Sequence, residues 1–200
     1  MEKLLSTIKK IKDLDYNQKF EIKKLFANPD TLEAQRNQMK SINPKATPDE
    51  VEKRVFNLVV RDNVFNAIMN YIVTCYEFSI DKSEIEKYSE RVKTIYKNAP
   101  AEKINEITEI TLKKTLVFSE LAKLWDIRTT DEETKNSLQN YYKMTNNPIR
   151  DILENKNQFE GYRQMIQDQK ITAEIIMRFR NVKIDLPKPD TNKPQEQTGK

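Results

Sequence analysis

The side chains that could carry out covalent or proton-transfer chemistry are few in this sequence and poorly placed for it. Histidine does not occur, and cysteine occurs once, as Cys75. The commonest general base and the commonest transition-metal ligand are therefore missing. Cys75 lies in the apolar run Tyr71-Ile72-Val73-Thr74-Cys75-Tyr76, where a free thiol reads as a small buried hydrophobe. A thiol nucleophile would also need an activating base, which histidine is not there to supply. The acidic pair Glu132-Glu133 opens a helical stretch, and carboxylates are stabilised at that end by the helix dipole. Nothing else converges on them, so neither metal nor acid–base chemistry is indicated. Gly161 and Gly199 are the only glycines, which excludes glycine-rich phosphate loops of the Walker or dinucleotide type. The expectation is a protein that is not an enzyme and uses no cofactor or metal.

Binding is the chemistry left. The 200 residues carry 35 Lys and Arg against 31 Asp and Glu, a net charge of +4. Lysine and glutamate alternate along most helices, and no basic block with interleaved aromatics appears outside Lys9-Lys10 and Lys23-Lys24. Specific nucleic-acid binding needs clustered charge with interleaved aromatics, and is not expected. The opening Leu4, Ile8 and Ile11 fall on one helical stripe flanked by lysines. That stripe is narrow and lacks Trp or Phe, so it is expected to dock on the protein's own body and not on a membrane. Lys9 and Lys10 interrupt any secretory signal, and no apolar run approaches the ~20 residues of a membrane span. A single cysteine cannot form an internal disulfide, which fits a reducing compartment, and a cytoplasmic location is expected.

The elements that would position a binding surface are helices. Scarce glycine argues against tight hairpins, so the fold class reads as all-α. Residues 1–45 read as N-terminal helices, one over Leu4 to Ile11, one over Asn17 to Ala27 and one over Thr31 to Met39. Two prolines mark a loop at Ser41 to Pro48. A long helix follows, with Val51, Val55, Leu58/Val59, Asp62, Phe65, Ile68/Met69 and Ile72 at helical spacing. Extra apolar residues widen its face, which predicts a central, mostly buried helix. Tyr76 to Ile80 reads as extended, and Asp81-Lys82-Ser83-Glu84 as a capping box opening the next helix. Asn98-Ala99-Pro100 breaks that helix. Another runs through Ile104, Leu116 and Leu124 to an extended exit at Trp125 to Arg128. Thr130-Asp131-Glu132-Glu133 is a second capping box. Asn147-Pro148 reads as a cap with proline at the first helical position, and a last long helix spans Asn157 to Phe179. Residues 46–186 form the helical body, and the proline-rich polar stretch 187–200 reads as a disordered tail.

One unit recurs. A long apolar helix leads to an extended exit, and a capping box launches a tyrosine-bearing amphipathic helix, at Phe65 to Tyr96 and again at Phe118 to Tyr142. Phe179 to Asp185 looks like the first half of a third copy. The stretches Trp125-Asp126-Ile127-Arg128-Thr129-Thr130-Asp131-Glu132-Glu133, Asn147-Pro148, Asn157-Gln158-Phe159 and Gln169-Lys170-Ile171-Thr172-Ala173-Glu174 resemble the C-terminal domain of trigger factor. They are also similar to the core of SurA-like chaperones, and the likeness covers roughly residues 50 to 186. It implies an elongated multi-helix arm-and-cradle architecture in a small stand-alone bacterial protein. It further implies an ATP-independent holdase that cradles unfolded or nascent polypeptides. The Gly-Phe-Arg-x-Gly ribosome-docking loop and the glycine-rich isomerase domain have no counterpart here, so ribosome docking and isomerisation are not carried over.

A holdase needs exposed apolar side chains rimmed by charge. Methionine supplies flexibility and tyrosine an apolar body with a polar tip. The candidates lying off the narrowest helical stripes are Tyr141, Met144, Tyr162, Met165, Phe56, Met69 and Tyr96. Such an excess also fits a homo-oligomer interface. The alternative reading is a helical adaptor or scaffold whose groove serves one dedicated partner protein.

Overall fold

The computed structural model describes residues 5–97, 99–145 and 147–186; the tail read at 187–200 lies outside them. The described residues are mostly helical, with seven helices and four short strands among them in the order β1 (Thr7–Lys10), β2 (Phe20–Ile22), α1 (Pro29–Ile42), α2 (Pro48–Val73), β3 (Tyr76–Ser79), α3 (Lys82–Ile95), α4 (Ala101–Leu124), α5 (Asp131–Thr145), α6 (Arg150–Glu154), α7 (Lys156–Arg178) and β4 (Val182–Ile184).

Three long helices meet at their C-terminal halves. Ile68, Met69 and Ile72 of α2, Val117, Phe118, Leu121 and Ala122 of α4, and Ile171 and Ile175 of α7 form one buried cluster with Cys75, Tyr76 and Phe179. We call this the hub. Beyond it each long helix continues toward its N-terminus on its own, packed chiefly against short helices: α1 on α2, α3 on α4, and α5 with α6 on α7. At 1.5 Å per residue, these legs run roughly 20–30 Å past the hub. Each has a small core of its own, with Val51 and Val55 in the first, Val92, Ile104 and Leu112 in the second, and Thr134 and Leu138 in the third. The long helix expected to be central and mostly buried is thus buried in its C-terminal third and near its start. Phe56, between them, is 51% exposed.

The recurring unit in the sequence is the chain passing through the hub. It enters along α2 and leaves by β3, enters along α4 and leaves by a turn, and enters along α7 and leaves by β4. The exit after α4 is not extended as the sequence suggested. Ile127 N–H donates to Ala122 C=O at 2.9 Å and Asp126 N–H to Lys123 C=O at 3.4 Å, with Asp126 at φ 49°. This is a Schellman stop, and aspartate tolerates the left-handed position better than most side chains.

The first two expected helices are strands. Thr7–Lys10 pairs antiparallel with β3, setting Ile8 opposite Phe78 and Lys9 opposite Glu77. Phe20–Ile22 pairs in parallel with β4. Spacing alone favoured helix, but a lone amphipathic stripe gains little in water, whereas the strand form satisfies an open backbone edge at the hub. The segment also caps the hub with aromatic rings. Phe179, fully buried, lies 5.1 Å from Tyr16, 6.0 Å from Tyr71 and 6.2 Å from Phe20 between ring centres. Trp125 Nε1 donates to Tyr16 Oη at 3.2 Å.

The helix starts follow their caps, with two corrections. Thr47 and Glu50 form the box that opens α2, and Thr130 with Glu133 makes the reciprocal bonds that open α5. At α3, Asp81 accepts from Ser83 N–H at 2.9 Å, but Glu84 does not reach back. Its carboxylate accepts instead from Leu5 N–H at 2.8 Å and Ser6 N–H at 2.9 Å, while Asp81 N–H donates to Ser6 Oγ at 2.9 Å. Asn147 likewise does not cap α6, whose preceding residue Ile149 offers no side-chain bond; its amide donates to Tyr141 Oη.

Glu84 therefore staples the N-terminal strand to the body. Burial opposes its charge, and the bonds from Ser6 and Leu5 outweigh that, holding the carboxyl below the usual glutamate range. A carboxyl depressed by folding stabilises the fold above its unfolded pKa, and that contribution is lost as pH falls through the folded one. Glu84→Gln should turn an amide N–H₂ against one of the two backbone donors, of which Ser6 N–H is buried. The expected result is a Tm lowered by roughly 3–6 °C at neutral pH, with the gap from wild type closing in acid. An unchanged Tm at neutral pH would mean the staple contributes nothing.

Candidate functional site

The candidate site is built from what the legs leave uncovered. Short helices cover only one side of each long helix, because α1, α3 and α5 are amphipathic with a single apolar stripe. Side chains off those stripes have nothing to pack on. The chain's surface is accordingly large, at 15,204 Å². Granting the residues outside the described set the full surface of an unfolded chain removes roughly 3,400 Å², and the remainder still exceeds the roughly 9,100 Å² of a compact globule of that mass.

Five of the seven sequence candidates are exposed, and they fall on all three legs. Phe56 is on α2, Tyr96 just past α3, Tyr141 and Met144 on α5, and Met165 on α7, with Met144 the most open at 67%. Tyr162 is half-buried on α7, its hydroxyl 3.4 Å from that of Ser137 on α5. Met69 is corrected: it is 7% exposed and belongs to the hub core. It sits at helical spacing from Phe65 and Ile72, on the face of α2 that joins the cluster shared with α4 and α7.

Sequence reasoning missed Phe26, Ile42, Ile95, Ile110, Tyr142 and Leu153, all exposed. Ile95 carries a misleading signal, since it falls at helical spacing from Val92 on α3 and yet is exposed. Tyr142 follows Tyr141 directly, and on a helix neighbouring residues diverge by about 100°, so the doublet itself announced that one ring would be outward. Both are.

Charge sits where the legs part. Lys114 Nζ is 5.2 Å from the Phe65 ring centre and 5.1 Å from that of Phe118. Asp168 accepts from Gln164 Nε2 at 2.8 Å. Burial pushes its carboxyl above the usual carboxylate range, more than the Gln164 bond and the Lys114 charge pull it down. Near the start of α5, Lys170 Nζ binds Glu133 Oε1 and Arg128 C=O, both at 2.8 Å, tying α7 to the cap of α5. Among the described residues no three carboxylate or thiol side chains converge as a metal site would require. No helix among them is long and apolar enough to cross a membrane.

No family model matches the sequence. Over 178 residues the chain is 33% identical to the uncharacterized MG377 homolog of Mycoplasma pneumoniae, covering 88% of this chain and 92% of that protein. It is 32% identical, with the same coverage, to the uncharacterized protein MG377 of Mycoplasma genitalium. The chain belongs to the MG377 family. The crystal structure of the hypothetical Mycoplasma protein MPN555 shares its fold, with a TM-score of 0.79 at 32% identity over 92% of this chain and 93% of that one. The hub and legs are thus placed on a backbone that a crystallographically determined relative also adopts. The MG377 likeness runs across nearly the whole chain, so strands and legs belong to one family unit.

Proposed function

We propose that this protein is a polypeptide-binding chaperone that acts without ATP and without catalysis, holding unfolded or nascent chains between its legs. The carrying observation is the apolar surface spread over all three legs, at Phe56, Tyr96, Tyr141, Met144 and Met165, beside a hub that keeps its own apolar residues buried. Single-sided helix pairs held apart by a hub offer apolar contacts at several points along a flexible client, and Met and Tyr adapt to varied side chains. The surrounding lysines and glutamates keep the empty surface soluble. In this reading the legs are the arms of the arm-and-cradle architecture that the trigger factor and SurA-like resemblance implies, and the protein works in the cytoplasm.

Aggregation suppression tests it. Thermally denatured clients of two unrelated folds, followed by light scattering, should both stay soluble at stoichiometric amounts of this protein without nucleotide. A helical adaptor for one dedicated partner would suppress neither, and that result would overturn the proposal.

A further inference from the structure

We infer that the outer edge of β4 is a second polypeptide site, which takes an acidic, extended segment as an added β-strand. It rests on the chaperone reading for its occupant class and sits on the hub, away from the legs.

The geometry begins with an incomplete sheet. β2 and β4 form a parallel ribbon of two strands, with Phe20 opposite Val182 and Ile22 opposite Ile184. β2 also packs against α2, with Phe20 against Tyr71. In a parallel ladder alternate residues turn their N–H and C=O groups to opposite edges. Phe20 N–H donates to Asn181 C=O and Asp185 N–H to Ile22 C=O, both at 2.9 Å, so Asn181, Lys183 and Asp185 face β2. Val182 and Ile184 must face outward. Val182 N–H is already used, donating to Arg180 C=O at 2.9 Å, which leaves the Val182 carbonyl and both groups of Ile184 on the outer edge with no backbone partner among the described residues. Ile184 is itself exposed. Beside the ribbon lies an open cleft of about 650 Å³ lined by Lys19, Phe20, Glu21, Arg180, Asn181, Val182 and Lys183.

Charge selects the occupant. The cleft is lined by three cations and one anion. Glu21 is shared between Lys23 at 3.4 Å and Lys183 at 3.8 Å. Lys19 and Arg180 have no ion-pair partner among the described residues, and Arg180 Nε donates only to Met177 C=O. The imbalance extends over the whole cap of the hub. Residues 5–24 carry six lysines against Asp13, Asp15 and Glu21, and residues 178–186 carry Arg178, Arg180 and Lys183 against Asp185. Residues 25–177, which build the legs and most of the hub, hold 22 basic against 24 acidic residues. The protein's positive charge is therefore concentrated beside this edge. An open strand edge supplies main-chain bonds and cations supply preference for acidic side chains, the recipe of strand addition. Nucleic acid fits less well. Phe20, the aromatic in the cleft, is turned into Tyr71 at 5.8 Å and Phe179, so no ring is offered for base stacking.

The test uses the full chain and a fluorescein-labelled peptide of alternating Glu and Val, followed by anisotropy. Wild type should bind it, and Arg180→Glu with Lys183→Glu should weaken binding about tenfold or more while leaving the helical circular dichroism intact. The same peptide N-methylated at alternate amides should not bind wild type, a result that needs no protein variant to fold. Equal binding of the N-methylated peptide would overturn strand addition. Binding of a polyuridine oligonucleotide in place of the acidic peptide would overturn the choice of occupant. Aggregation suppression measured in parallel separates the two readings: suppression without peptide binding sinks the edge alone, and peptide binding without suppression sinks the chaperone alone.

Discussion

Phe179→Ala is expected to cost about 3–5 kcal/mol and lower Tm by on the order of 10 °C. Phe179 is fully buried and lies directly after α7, its ring packed against Tyr16, Tyr71 and Phe20. It touches the N-terminal cap, α2 and its own leg together, so truncation leaves a cavity that no single element can collapse to fill. Chemical denaturation gives the free energy. Because the loss falls on the hub, all three legs should report one cooperative transition shifted together. A loss below about 1 kcal/mol would place the ring among ordinary surface contacts and show that the hub does not hold the legs.

The second large effect is on binding and not on stability. Replacing Tyr141, Met144 and Met165 with serine should change unfolding free energy by less than about 1 kcal/mol in total, the range of surface substitutions. The same variant should lose most client capture, because exposed apolar anchors carry the larger share of such contacts. Were these residues core, each change would cost about 2 kcal/mol or more, and denaturation would reveal it. Retained stability with undiminished aggregation suppression would move the client surface to another leg, with Phe56 and Tyr96 as the next residues to change. Tyr162 is left out because its hydroxyl meets Ser137 across the α5–α7 contact.

How much of this was readable from residues depends on which force sets each feature. Helices α1 to α5 and α7 were visible because their apolar spacing and caps are local. Thr130 with Glu133 shows the local signal agreeing with the structure. Asp81 to Glu84 shows where it fails, since the same pattern was diverted to Leu5 and Ser6, some eighty positions away. β1 and β2 were unreadable for the same reason. Their strand form depends on edges contributed by β3 and β4, and nothing within residues 5–24 announces them. Of the candidate site, five exposed side chains were found by asking which apolar residues exceed one stripe per helix. Met69 did not belong in that set, since its helical spacing from Phe65 and Ile72 already puts it on the packed face of α2.

The parallel pairing of β2 with β4 has a consequence for how the chain is made. Asn181 Nδ2 donates to Asn17 C=O across 164 positions, so during synthesis the carbonyl at position 17 waits for residues 164 positions later before this bond can form. The α3–α4 hairpin needs only neighbouring residues and can form early, since loop closure is cheapest at short separation. Synthesis from the N-terminus therefore completes legs before the hub has its cap. Until α7 and β4 emerge, Tyr16, Phe20 and Ile22 remain an uncovered apolar stretch. The protein's own nascent chain thus passes through the kind of state that its finished form is proposed to hold.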